Sequence, residues 1–183
     1  MKTKIITERI RDLLNKKDRL TVAIDGRCAA GKTTLAKNLQ EIFDCNVIHA
    51  DSFFLRPEQR TAERYATPGG NIDRERLLSE VLVPLSRGEE FYYSPFNCQT
   101  QTLDGKIYVP KSKITVIEGS YCCHPSLVDF YDLKIFLDVD KETQKQRILH
   151  RNKENSEAFF EKWIPLEELY INTLDKSTFD LYI

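Results

Sequence analysis

The sequence predicts an α/β protein: a parallel five-stranded sheet between two layers of helices, a three-layer α/β/α arrangement. Three observations predict it. Short apolar runs alternate with longer stretches of helical periodicity, the pattern that builds βαβ units. Residues 20–24, 46–50, 114–117, 133–140 and 179–183 supply the runs, most of them apolar enough to be covered on both faces. After the first run, Gly26-Arg27-Cys28-Ala29-Ala30-Gly31-Lys32-Thr33 fits G-x-x-x-x-G-K-[ST], the phosphate-binding loop (P-loop), in its strand–loop–helix context.

Glycines in that loop let the backbone turn tightly, so that successive N–H groups face phosphate oxygens. The helix that follows directs its positive dipole end at the same anion. Lys32 is expected on the β- and γ-phosphates, with the Thr33 hydroxyl on Mg²⁺. Gly26, Arg27, Cys28, Ala29, Ala30, Gly31, Lys32, Thr33 and Thr34 are therefore the expected nucleotide-binding residues, with ATP and Mg²⁺ as the cofactors. The competing reading is a plain glycine-rich turn, and the apolar run before the loop and the helical pattern after it speak against that.

The chain of 183 residues suits one domain, 1–183, with a sizeable core. With 27 basic and 28 acidic residues its net charge is −1, which gives no field for nucleic acid. Charge returns at Glu8 and Arg9, too soon for a signal-peptide core, and no apolar run is long enough for a membrane. Cytoplasm is the expected location, with no nucleic-acid or membrane partner. Cys28, Cys45, Cys98, Cys122 and Cys123 form no C-x-x-C pair, so neither zinc nor a disulfide framework is expected. Cys28 reads as tolerated filler in the loop.

Taken in order, residues 4–17 place Ile6, Ile10, Leu13 and Leu14 at helical spacing, an amphipathic helix packed on the sheet. Strand 20–24, the loop and helix 32–43 follow. The second strand ends at Asp51-Ser52-Phe53-Phe54, on the sheet edge where groups past strand carboxyl ends line a ligand crevice. Asp51 is read there as a general base or a carboxylate orienting a substrate hydroxyl, against the alternative of a helix cap. His49 is read as a packed strand residue. Residues 55–71 form a long polar loop, and Asp73 heads a helix expected to stop at Pro84 and Gly88. Asp73 reads either as that helix's N-cap or as an acceptor for a sugar diol. Residues 91–97 and 107–109 flank Asp104-Gly105, a plausible hairpin whose aromatic first arm is either ordinary strand or a platform for a flat base.

The third buried run closes on Glu118-Gly119-Ser120-Tyr121. An acid ending an apolar strand is the expected second half of a P-loop site, helping to hold Mg²⁺. Residues 125–131 read as a short helix. Helix 141–151 sets Arg147 and Arg151 one turn apart, as a lid over the triphosphate or as a solvated basic face. Phe159, Trp163, Leu166, Leu169, Tyr170 and Leu174 form an apolar stripe expected in the core, with Pro165 opening a helix.

These motifs resemble the uridine kinase and phosphoribulokinase-like group of P-loop kinases, which includes nicotinamide riboside kinase. The most specific pieces are residues 26–33, Val47-Ile48-His49-Ala50-Asp51-Ser52-Phe53-Phe54 and Ile117-Glu118-Gly119, and the likeness covers most of the chain. The resemblance implies sheet order 2-3-1-4-5, a substrate-binding insertion at about 55–110 and a lid at about 141–157. It makes Asp51 the base, with Lys32, Arg147 and Arg151 as its catalytic companions. It puts Asp73 on the acceptor's ribose, and Tyr93 and Phe96 in the segment that contacts the base. Glu118 joins Thr33 at the metal and Asp51 at the substrate. Ser52 stands where the family often has a second acid, Asn152 where an arginine-aspartate pair commonly continues the lid, and the tyrosine-aspartate pair of typical uridine kinases is absent.

The expected function is therefore an ATP-dependent kinase acting on a hydroxyl of a nucleoside or similar small molecule. The alternatives are a kinase for another acceptor, such as a sugar phosphate or adenylylsulfate, or a regulatory ATPase without a metabolite substrate. A GTPase is disfavoured because Asn152-Lys153-Glu154-Asn155 lacks the final aspartate of the guanine motif. Monomer and homodimer both fit.

Overall fold

The computed structural model describes residues 2–151 and 156–183. Helix α1 (Lys2–Leu14) precedes β1 (Leu20–Gly26), α2 (Lys32–Phe43) and β2 (Asn46–His49). Short elements follow: α3 (Ala62–Ala66), α4 (Arg74–Leu77), α5 (Val83–Arg87), β3 (Phe91–Tyr93), β4 (Phe96–Asn97), β5 (Thr102–Leu103) and β6 (Ile107–Val109). The chain ends through β7 (Ile114–Glu118), β8 (Leu133–Leu137), α6 (Lys141–Arg151), α7 (Ser156–Ala158), α8 (Ile164–Ile171) and β9 (Leu181–Tyr182).

The main sheet runs β2-β7-β1-β8-β9 with every pair parallel. Counting only its own strands in chain order, that is the expected 2-3-1-4-5. Alternate residues of the central strands enter two different cores. Val22, Ile24, Val116 and Ile135 pack with Ile6 and Ile10 of α1 and Leu35 and Leu39 of α2. Ala23, Ile117 and Phe136 face the other way, toward Leu77, Val81, Phe53 and Tyr170. Both faces of β1 are thus covered, as in parallel sheets generally.

Register then assembles the site edge. Ile24 and His49 both stand beside Glu118, and Gly26 stands beside Leu137, so all four strands release their carboxyl ends at one place. Gly26 has φ +139°, and a Cβ there would lie 2.1 Å from the Leu137 carbonyl oxygen; only glycine lets the loop leave so close to β8.

Several local expectations need correction. Pro84 does not stop its helix. A π turn, Leu78–Leu82, carries the chain from α4 into α5, and the Val83 N–H bonds Leu78 O. The wider turn accommodates a proline that has no N–H to give to the residue four back, and the helix ends at left-handed Gly88. The hairpin reverses at residues 98–101 instead of Asp104-Gly105. There the Asn97 side-chain oxygen accepts from Gln99 N at 2.9 Å and Thr100 N at 3.2 Å, an Asx-type turn. Residues 125–131 contain only the 3₁₀ turn Val128–Phe130, and the fourth strand stops at Leu137. Of the C-terminal stripe, Tyr170 is fully buried but Leu169 is exposed. The expected lid at 141–157 lies partly outside the described residues, and so does the Asn152–Asn155 motif comparison.

Candidate active site

A cleft of about 940 Å³ opens over the carboxyl edge of the sheet. Its walls include residues 28–34 of the loop, Asp51, Phe96, Glu118, Arg147 and Arg151, so most of the expected site residues meet in one place.

The loop is held from beneath. Asp25, the penultimate residue of β1, is buried and saturated. Its Oδ1 accepts from Gly26 N and Tyr121 N, and its Oδ2 from Cys123 N and the Tyr170 hydroxyl, at 2.6–3.0 Å. Burial raises the Asp25 pKa, and those hydrogen bonds oppose the rise. Cys122 and Cys123 lie beside Asp25, all within 4.8 Å. Because the carboxylate oxygens are already committed, that group has nothing to offer a metal. The chain then enters α2 through Gly31, left-handed at φ 98°, which turns the first helical amides toward the cleft.

Lys32 is buried at the cleft floor, where its Nζ donates to Gly26 O at 2.7 Å, Arg27 O at 2.9 Å and Ser120 Oγ at 3.1 Å. The cation is thereby positioned before any anion arrives. Thr33 Oγ1 donates to Glu118 Oε1 at 3.2 Å. Two hard oxygen donors converging beside a phosphate loop suit Mg²⁺ in chemistry. Glu118 also meets His49 Nδ1 at 2.5 Å, and that bond raises the His49 pKa. His49 is thus half-exposed and paired, and the packed-strand reading fails because β2 is an edge strand.

Asp51 sits in the 3₁₀ turn Ala50–Phe53 just past β2, and its side chain makes no capping bond there. It opens to cleft solvent, yet the surrounding walls strip much of its hydration. Desolvation, followed by the charge of Glu118, raises its pKa; Lys32, His49 and Arg151 pull the other way. On α6, Arg147 Nη1 donates to Ala29 O at 3.0 Å and Arg151 Nη2 reaches Cys28 Sγ at 3.8 Å. Both arginines therefore dock on the loop instead of forming a merely solvated face.

Two expected acceptor residues stand elsewhere. The Asp73 side chain caps α4 by accepting from Arg76 N at 3.1 Å, and it does not line the cleft. Tyr93 is buried in a stack on Phe53 with ring centroids 5.5 Å apart, its hydroxyl bonded to Ser52. Tyr93 ends β3, which pairs with β6, and turns into the core, while Phe96 opens β4, paired with β5 in a separate small sheet, and lines the cleft. Sequence reasoning missed other wall residues: Asn71, Tyr65, Arg60, Trp163 and Glu167. Arg60 lies over the Phe96 ring at 5.4 Å, and Lys162 over Tyr65 at 4.9 Å and Trp163 at 4.7 Å. An acid inside an apolar strand was a signal for Asp25, whereas Asn71 and Glu167 carry no local signal at all.

With this geometry in place, comparison with known proteins is decisive. Residues 21–157 match the model of the Phosphoribulokinase / Uridine kinase family. The chain belongs to that family. A uridine kinase of Chlamydia pneumoniae is 30% identical over 145 residues, covering 72% of this chain and 62% of that protein. The curated relatives are longer: the chain spans between 27% and 62% of their lengths. Among solved structures, YFH7 from Saccharomyces cerevisiae, a P-loop kinase candidate with a circular permutation, superposes with TM-score 0.75 at 13% identity, covering 99% of this chain and 98% of that one. A possible uridine kinase from Bacillus stearothermophilus gives TM-score 0.62 at 21% identity, with 97% and 98% covered. At those identities the superpositions establish the P-loop kinase fold. Among the described residues no helix of this family member is long and apolar enough to cross a membrane.

Proposed function

We propose that this family member is an ATP-dependent kinase that moves a phosphoryl group onto a hydroxyl of a nucleoside or a similar sugar-bearing metabolite. The observation that carries the reading is Asp51, whose carboxylate opens into the cleft that the phosphate loop floors and lies in the electrostatic field of Lys32, Arg151 and Glu118. Asp51 orients the acceptor hydroxyl and takes its proton. Lys32, Arg147 and Arg151 neutralise charge on the transferring phosphoryl group, so most of the catalysis is positioning and electrostatics. Thr33 and Glu118 hold Mg²⁺, which neutralises phosphate charge when bound. Phe96, Tyr65 and Trp163 offer flat apolar surface against which a ring stacks. A nucleoside acceptor is favoured by those aromatic walls and by the uridine kinase relative.

The test is Asp51→Asn assayed for ADP release across a panel of nucleosides and phosphorylated sugars. Turnover should fall at least about a hundredfold while ATP still binds. Near-normal turnover would remove Asp51 from the role of base. Because the pKa of Asp51 is raised, the acid limb of the wild-type rate profile should lie above the ordinary carboxylate range and should disappear with the variant.

A further inference from the structure

Glu167, in α8, is a carboxylate that the proposed chemistry does not use, and it sits against the phosphate loop. It is only 3% exposed, yet it lines the cleft. Its Oε1 accepts from the Cys28 N–H at 2.6 Å and from Ser120 Oγ at 3.2 Å; its Oε2 accepts from Gln144 Nε2 at 3.1 Å. Glu168, the next residue, pairs with Arg27, which also reaches Asp138 at 2.8 Å. Two consecutive carboxylates of one helix therefore hold two consecutive residues of the loop.

Amides of a phosphate loop serve to face an anion. In this structure the anion on one of them is the protein's own. We infer that Glu167 is an internal stand-in for phosphate: it holds the loop at the Cys28 amide, and it opposes the triphosphate tail that competes for that loop. The inference rests on the reading that this loop binds that tail.

Electrostatics supports the geometry. Around Glu167 stand Lys32 from α2, Gln144 from α6, Ser120 and Tyr121 after β7, and the loop's Cys28, with Arg27 and Glu168 alongside. Burial raises the Glu167 pKa, and the positive field of Lys32 opposes that rise. Burial, and after it the charge of Glu167, pushes up the pKa of the Cys28 thiol and of the Tyr121 hydroxyl. A second polyanion brought there meets the same charge with little water to screen it.

Glu167→Gln keeps an oxygen for the Cys28 N–H and removes the charge, at the loss of the acceptor that Gln144 uses. Titrated with MgATP and followed by the fluorescence of Trp163, the variant should bind at least about fivefold tighter than wild type. In turnover assays KM for ATP should fall in step with the gain in binding, a change that a merely structural role would not give. Glu168→Gln, which loosens the Arg27 clasp without touching the loop amide, should not tighten ATP. Equal or weaker ATP binding by Glu167→Gln, or the same gain from Glu168→Gln, overturns the inference. Should Glu167→Gln fail to fold, Glu167→Asp draws the carboxylate back from Cys28 N and is expected to tighten ATP in the same sense, with unchanged affinity counting against it. Wild-type protein that binds no ATP would instead defeat the kinase reading itself.

Discussion

Beneath the phosphate loop, buried polar groups are closely hydrogen-bonded to one another; in the stretch that follows β2 the bonding is looser. Asp25 spends both oxygens on four donors, Lys32 has three acceptors, and Glu167 has three donors. By contrast, Asn71 Oδ1, Asp73 Oδ2, Arg74 Nη1 and Arg76 Nε, within six consecutive residues, make no close hydrogen bond among the described residues, and Arg76 Nε faces Asp73 Oδ2 only across an ion pair at 3.4 Å. The first region is rigid sheet edge with its electrostatics preset. The second is short helices and hairpins in which an ion pair takes the place of closer hydrogen bonds. The difference is one of construction: a closely hydrogen-bonded floor under the loop, and a more loosely bonded stretch beside it.

The largest expected effect falls on the finished side. Asp25→Ala leaves three amides and a hydroxyl without their acceptor in a buried site and should cost about 3–5 kcal/mol, read as a shift of the urea midpoint. A loss under about 1 kcal/mol would mean that the loop does not depend on that carboxylate and would erase the contrast.

On the other side, Asp73→Ala removes an N-cap and the ion-pair partner of buried Arg76 and should cost about 2–3 kcal/mol, again by urea titration. The same variant sharpens the comparison in a second way. A rise of the acceptor KM beyond about tenfold would show that Asp73 reaches the acceptor beyond its pairing with Arg76, as the family resemblance implies.

The smallest effect concerns pH. Burial and the positive charges of Arg74 and Arg64 lower the His124 pKa from 6.5 to about 4. A histidine held neutral in the fold contributes stability that is complete above pH 6.5 and is lost as pH falls from 6.5 toward 4, because the unfolded chain binds the proton first. Thermal melts should therefore fall across that window, and His124→Gln should flatten the slope. An unchanged slope would assign the pH dependence to other groups.

Sequence alone determined the loop, its strand and its helix, since each is a local pattern: apolar alternation, glycine spacing, and helical periodicity over 32–43, which the structure reproduces to the residue. It also put Asp51 and Glu118 at strand ends, and a parallel sheet necessarily brings such ends together. What periodicity could not give was contact between residues far apart in the chain. Glu167 reaches Cys28 across a sequence separation of 139, and Tyr170 reaches Asp25 across 145. Whether Tyr93 or Phe96 faces the cleft turned on how two separate two-stranded ribbons met the core, and Asp73 became a cap because the helix it opens is docked on Phe53 through Arg76, 4.5 Å above that ring. Short-range chemistry is written in the order of the residues. The choice of which polar group is spent inside the fold and which is left for a ligand is made only when distant segments compete for the same donors.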